Sequence, residues 1–135
     1  EAYISEQEQV LEKRLQSKSR FSAVHVRHEI AKLLNDCLGI TRTEEKLLEG
    51  IKSVDYYITI SEKLIYDTDV SPYIGYSLKP MILLARAILT SALSRKETRG
   101  SHIREDYPQR SDEFALCSVC DYKNGEHHIS YIKED

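Results

Sequence analysis

Arg95-Lys96-Glu97-Thr98-Arg99-Gly100-Ser101-His102-Ile103-Arg104-Glu105-Asp106-Tyr107-Pro108 carries five cations or potential cations before Asp106 and closes on a proline. It is too charged for core and too patterned for filler. Upstream, apolar residues recur at a helical period; downstream, they alternate. Gly100 offers a helix stop, because glycine enters the left-handed backbone region at little cost. The stretch is therefore read as a junction between helices and a β-hairpin, and as the surface through which the domain acts.

Immediately before the junction, Leu78, Ile82, Ala85, Ile88, Leu89, Ala92 and Leu93 share one helix face. Pro80 is tolerable only in a first turn, so this helix is expected to begin near Leu78 or Lys79. Asp67 to Gly75, with Asp67, Asp69, Ser71, Pro72 and Gly75, reads as a loop. Further back, Thr43 caps a helix whose first turn carries Glu44 and Glu45, the sign favoured by the macrodipole. Leu47, Leu48, Ile51, Val54, Ile58, Leu64 and Ile65 keep its spacing to about Tyr66. Ser22 is the N-cap of another helix, with Val24, Ile30, Leu33, Leu34, Cys37 and Leu38 as its apolar face and Gly39 at its end. Ile40-Thr41-Arg42 is a short connector. Tyr3 to Lys18 reads as a polar helix with a narrow stripe of Tyr3, Val10, Leu11 and Leu15.

After Pro108, Phe114 to Tyr122 and His127 to Ile132 are alternating runs joined by Lys123-Asn124-Gly125-Glu126. Asn-Gly suits a type I′ turn, whose two central residues need positive φ. That turn sets the register: Lys123 faces Glu126, Tyr122 faces His127, Asp121 faces His128 and Cys120 faces Ile129. Short connectors between helices predict antiparallel neighbours. The expected fold is mainly α: an up-and-down bundle of three to four helices over 3–98, a charged loop over 99–113 and a β-hairpin over 114–132, forming a single domain.

At 135 residues and 15.6 kDa the chain buries roughly two thirds of its unfolded surface, enough for one core and too little for two. A net charge of −3 gives no global field to collect nucleic acid. The junction makes a poor phosphate patch as well, since Glu97, Glu105 and Asp106 interrupt its cations and only Tyr107 offers a ring. Met81 to Leu93 spans thirteen apolar-rich residues around Arg86, against the roughly 20 needed to cross a bilayer, so no membrane span is expected. An odd set of cysteines, Cys37, Cys117 and Cys120, points to a reducing, cytoplasmic setting. The start at Glu1 rather than Met is read as a segment of something longer.

Cys117-x-x-Cys120 with His127 and His128 has zinc-like composition. On strands, however, odd spacing sends the two thiols, and likewise the two imidazoles, to opposite faces, so no metal site is assigned. His25, His28 and Glu29 share a helix face and are read as solvated. No phosphate loop or nucleophile elbow is present, and no catalytic residue is assigned. The junction suits an interface better, because arginine–carboxylate pairs of fixed geometry set the angle at which two bodies dock. Arg95, Arg99, His102, Arg104, Glu105 and Asp106 are the candidate docking residues.

Ala92 to Pro108, with its Arg-Gly-x-His-x-Arg-x-Asp-x-Pro pattern, resembles the signature of the C-terminal helical domain of the fumarate reductase/succinate dehydrogenase flavoprotein family, which includes L-aspartate oxidase and the adenylylsulfate reductase flavoprotein. Tyr76-Ser77-Leu78 with Met81 and Ala85 is similar to the family's penultimate helix, and Gly39 to Glu45 to its inter-helix turn. The closing hairpin is similar to its last strands. Thr98, where Ser is commoner, and Pro80 are departures. The resemblance implies a parent oxidoreductase that moves a hydride between FAD and a dicarboxylate. Its FAD would be held by an N-terminal dinucleotide-binding domain, and its catalytic residues would lie there and in a capping domain. This chain would carry no cofactor and no catalytic residue, and would dock on those two domains. The alternative is a stand-alone interaction module acting in trans or as a homodimer through the same face.

Overall fold

The computed structural model describes residues 22–61 and 72–133, together with positions 4, 5, 8, 9 and 12. The rest of the helix expected over Tyr3 to Lys18, and the end of the helix expected to reach Tyr66, lie outside the described residues.

Ser22 begins the first element. Its backbone is extended and its side chain accepts from the His25 amide at 3.2 Å, satisfying an end group that the helix itself cannot. Helix α1 runs Ala23–Leu38, and the Gly39 amide closes it on the Asn35 carbonyl. The buried residues are Ala23, Val26, Ile30 and Cys37, a helical stripe. Val24 sits off that stripe and is exposed, contrary to the expected face. Thr43 caps helix α2, Glu44–Ser61, by accepting from the Lys46 amide. Leu47, Gly50, Val54 and Ser61 are buried, whereas Leu48 faces water.

Helix α3 spans Pro72–Ser94, so it starts well before the expected Leu78. Pro72 occupies the first helical position, where a missing N–H costs nothing. Pro80 lies inside the helix and is exposed. An interior proline costs ~3 kcal/mol; burying Leu78 and Ile82 on either side returns about 1.5–3 kcal/mol each, which decides the outcome. Leu78, Ile82, Ala85 and Leu89 are its buried face, while Ile88, expected to be buried, is exposed. Tyr73–Ser94 is long and apolar enough by length and composition to cross a membrane; Leu78, Ile82, Ala85 and Leu89 on it lie in the core, where α3 packs against both α1 and α2. Gly50 is where the three helices close: a Cβ there would stand 2.9 Å from Cys37 Sγ and 3.2 Å from Leu89 Cδ2.

Two features follow α3. Strand β1, Thr41–Arg42, pairs in parallel with β2, Ile103–Arg104, pinning the junction to the turn between α1 and α2. Strands β3, Cys117–Lys123, and β4, Glu126–Ile132, form the antiparallel hairpin in the expected register. Asn124 and Gly125 both have positive φ, as their turn requires. The first strand begins later than expected, since Asp112–Phe114 forms a 3₁₀ turn. The carbonyls of Phe114 and Leu116 go to the Arg95 guanidinium. The hairpin rests on α3 through a Ser94–Tyr131 hydroxyl bond of 2.7 Å and through Arg86, which reaches both Asp55 and His127.

Candidate functional site

Helix α3 ends at Ser94, before Gly100, so the expected glycine stop is not used. Gly100 instead sits at φ +59 in a tight turn closed by reciprocal Arg99 and His102 backbone bonds of 2.9 and 3.0 Å. The carbonyls at the helix end are taken by an arginine ten residues on. Arg104 is fully buried, and its Nη1 donates to the carbonyls of Ala92, Leu93 and Arg95 at 3.0–3.3 Å. A cation at this end also complements the macrodipole.

The same guanidinium forks onto Asp106, with Nε to Oδ1 at 2.8 Å and Nη2 to Oδ2 at 2.7 Å. Asp106 Oδ2 in turn accepts from the Glu44 amide at 2.8 Å, at the first turn of α2. One ion pair thus caps the C-terminus of α3 with its cation and the N-terminus of α2 with its anion. The Arg104 bonds hold the Asp106 carboxyl well below its usual range, at about 2. Arg104 also lies 4.9 Å from the centre of the Tyr107 ring.

Glu97 is the second hub, and it too is fully buried. It accepts from Arg95 and Arg99 at 2.7 Å each and from the Ser111 amide at 2.9 Å. The Arg99 bond is the largest cause of a pKa lowered to about 2, against the opposing effect of burial. Arg95 continues to the hairpin, donating to the carbonyls of Phe114 and Leu116 at 2.7 Å. Its guanidinium lies 5.5 Å from the Tyr131 ring centre. Thr98 Oγ accepts from the Arg104 amide at 2.9 Å and lies within reach of two further carbonyls, so the Ser-to-Thr departure keeps the hydroxyl where it is needed.

Of the six candidate residues, Arg95, Arg99, Arg104 and Asp106 converge in these two hubs. His102 is half-buried, and its Nε2–H donates to the Arg95 carbonyl at 3.1 Å. Burial first, then Arg42, Arg104 and Arg95, hold its pKa below the ordinary value. Glu105 is exposed and contributes its amide to the Arg42 carbonyl. Sequence reasoning left out Glu97, Thr98 and Arg42. Glu97 carries a usable signal: Arg95, Glu97 and Arg99 alternate, so in extended backbone all three side chains share a face. The hairpin cysteines and histidines lie as the register requires, with Cys117 opposite Ile132, Cys120 opposite Ile129, and His127 and His128 opposite Tyr122 and Asp121.

The family model for the fumarate reductase flavoprotein C-terminus matches residues 27–134. The fumarate reductase flavoprotein subunit of Helicobacter pylori is 30% identical over 118 residues, covering 84% of this chain and 16% of that protein. The succinate dehydrogenase flavoprotein subunit of Rickettsia bellii is 32% identical over 106 residues, 72% of this chain and 17% of that protein. The chain thus spans only 16–17% of the length of these relatives. Adenylylsulfate reductase from Archaeoglobus fulgidus superposes with a TM-score of 0.81 over 99% of this chain and 25% of its own, at 20% identity, a likeness of fold. With its signature folded into the two hubs and the model matched over nearly its whole described length, the chain belongs to the C-terminal domain family of fumarate reductase and succinate dehydrogenase flavoproteins.

Proposed function

We propose that this chain is the non-catalytic closing part of an FAD-dependent oxidoreductase subunit acting on a dicarboxylate-type substrate, and that it serves as a scaffold docked on the FAD-binding and capping domains of its parent. The observation that carries this reading is the commitment of the signature cations to the fold itself. Arg104 is fully buried on Asp106, two carbonyls of α3 and that of Arg95 just past its end, and Arg95 and Arg99 are held by Glu97. Cations fixed in this way make a rigid edge rather than a substrate clamp. The outer side of that edge carries Glu105, His102 and the part-exposed Arg99.

Two features of the sequence and of the described residues support this reading's placing of the flavin elsewhere. The sequence holds no G-x-G-x-x-G turn between a strand and a helix. A cleft of about 550 Å³ is lined by Glu49, Lys52, Ser53, Tyr56 and Tyr57, all from one helix, with no helix N-terminus to receive a pyrophosphate. In this reading flavin binding and hydride transfer belong to segments outside residues 1–135.

Glu105→Lys in the full-length parent tests the docking. Among the described residues the Glu105 side chain has no partner, so its reversal leaves the bundle's own contacts in place. The expected result is faster proteolytic cleavage between bundle and flavin domain and faster FAD release. Unchanged cleavage and unchanged release would refute docking through this edge.

A further inference from the structure

Most of the half-buried or buried arginines among the described residues own a carboxylate. Arg86 has Asp55 at 2.6 Å, Arg95 and Arg99 share Glu97 at 2.7 Å, and Arg104 has Asp106 at 2.7 Å. Arg42 does not. Among the described residues its side chain makes one hydrogen bond, from Nη1 to the Ser101 carbonyl at 2.9 Å, and burial presses its pKa downward. Arg27 and Arg110 are exposed, where water solvates the charge. Arg42 alone among them is partly withdrawn from water without an anion in return, a costly state for a cation.

Its surroundings are shaped to supply that anion from outside. Arg42 lines an open cleft of about 250 Å³ with Leu38, Ile88, Ser91, His102 and Ser118. Among the described residues no carboxylate lines it. The backbone beneath is fixed, since Arg42 pairs with Arg104 across β1 and β2 and its carbonyl accepts the Glu105 amide at 3.0 Å. Arg95 also lines the cleft, but its charge is already matched by Glu97 at 2.7 Å, which leaves Arg42 as the unmatched cation there among the described residues. Apolar groups line the cleft beside the charge: Leu38, Ala92 and Ile88, the last 41% exposed. An apolar flank suits a protein segment better than a free ion.

We infer that the cleft receives a carboxylate, the side chain of a Glu or Asp on a segment of the parent chain outside residues 1–135. Arg42 takes it in a two-pronged bond while Leu38 and Ile88 cover its methylenes. This deepens the docking reading above and rests on it. Two observations choose this occupant. The matched relatives are several times longer than this chain, so a covering segment exists in proteins of this kind. The charge of the cleft is complementary to an acid and to no other side chain.

The test uses the full-length protein carrying Arg42→Lys, treated with a water-soluble carbodiimide, which joins an amine only to a carboxylate it already touches. The expected product is a peptide linking position 42 to a Glu or Asp outside residues 1–135. In the same protein, an amine-to-amine reagent applied to exposed Lys96 and Lys52 reports whether the bundle is docked at all. Links from those lysines to outside segments, with position 42 unlinked or linked only within residues 1–135, overturn the carboxylate inference and leave docking standing. Absence of outside links from every position refutes docking, and the inference falls with it. If Arg42→Lys does not fold, phenylglyoxal labelling of the unaltered full chain gives a second reading. Arg42 should then react no faster than Arg86, which is half-buried and ion-paired to Asp55; a rate several-fold above that of Arg86 overturns the inference.

Discussion

Replacing Arg104 by lysine keeps a positive charge in the junction and removes the fork. The guanidinium now spans two tasks at once, with two bonds to Asp106 at 2.7–2.8 Å and Nη1 against three carbonyls of the α3 terminus at 3.0–3.3 Å. An ammonium is a compact donor on a flexible stem and reaches one of those sets, not both. A hydrogen bond to a charged group contributes about 1.5–3 kcal/mol, so forfeiting one set costs about 3 kcal/mol after the remaining contact is credited. Arg104→Met goes further by leaving Asp106 without its counter-ion, a change costing about 3–5 kcal/mol for a buried pair. Asp106 keeps 28% of its side chain in water, which puts the value at the low end. Urea unfolding followed by circular dichroism measures both, and for a chain of this length about 3 kcal/mol lowers Tm by roughly 10 °C. Lysine within about 0.5 kcal/mol of arginine, the ordinary scatter of surface changes, would refute the two-ended cap.

Stability should fall with acid along a limb set by Glu97. Its carboxyl titrates at 4.5 when unfolded and about 2 when folded. Below pH 5 the unfolded chain therefore binds the proton first, and the contribution present above pH 4.5 is lost as pH falls towards 2. The full shift corresponds to ~3 kcal/mol, reduced to ~2 because Arg99, the partner that causes most of it, is 35% exposed and screened. Asp106, also held at about 2, adds to the same limb, and Glu97→Gln should flatten it in pH-dependent unfolding curves. His102 and His127 both have lowered folded values, His102 chiefly through burial and then neighbouring arginines, His127 through burial and then Arg86. For each, the unfolded state is protonated first, so a shallower loss should begin as pH drops through about 6.5 and disappear in part in His102→Gln. At Gly50, alanine gains about 1 kcal/mol of helix propensity and loses about 1–3 kcal/mol to overpacking, because its Cβ would lie 2.9 Å from Cys37 Sγ. Gly50→Ala should therefore lower Tm despite its better propensity, with unchanged or raised Tm as the contrary result.

The hairpin was the most legible element, because Asn124-Gly125 constrains two φ angles locally and register follows by counting. Helix α1 was legible at both ends for the same reason, since Ser22 and Gly39 act within a few residues of themselves. The end of α3 was not. Whether Gly100 stops a helix depends on what satisfies the carbonyls before it, and Arg104 reaches them only after the chain has turned back. The start of α3 is not legible from Pro80, because propensity places a proline in the first turn whereas burial of Leu78 and Ile82 outweighs its cost inside the helix. The β1–β2 pair is two residues long on each strand, too short to leave a period. As for the site, the density of charge between Arg95 and Asp106 marked the place. Which charges turn inward followed from pairings such as Ser111 to Glu97 and Glu44 to Asp106, which are contacts of the folded chain and leave no local pattern.

The scaffold reading turns most directly on where the flavin binds. Residues 1–135, once circular dichroism verifies their helices, can be titrated with FAD beside the full-length parent and followed by flavin fluorescence. Stoichiometric binding by the parent with none by residues 1–135 is the predicted result. Stoichiometric uptake by residues 1–135 alone would contradict it.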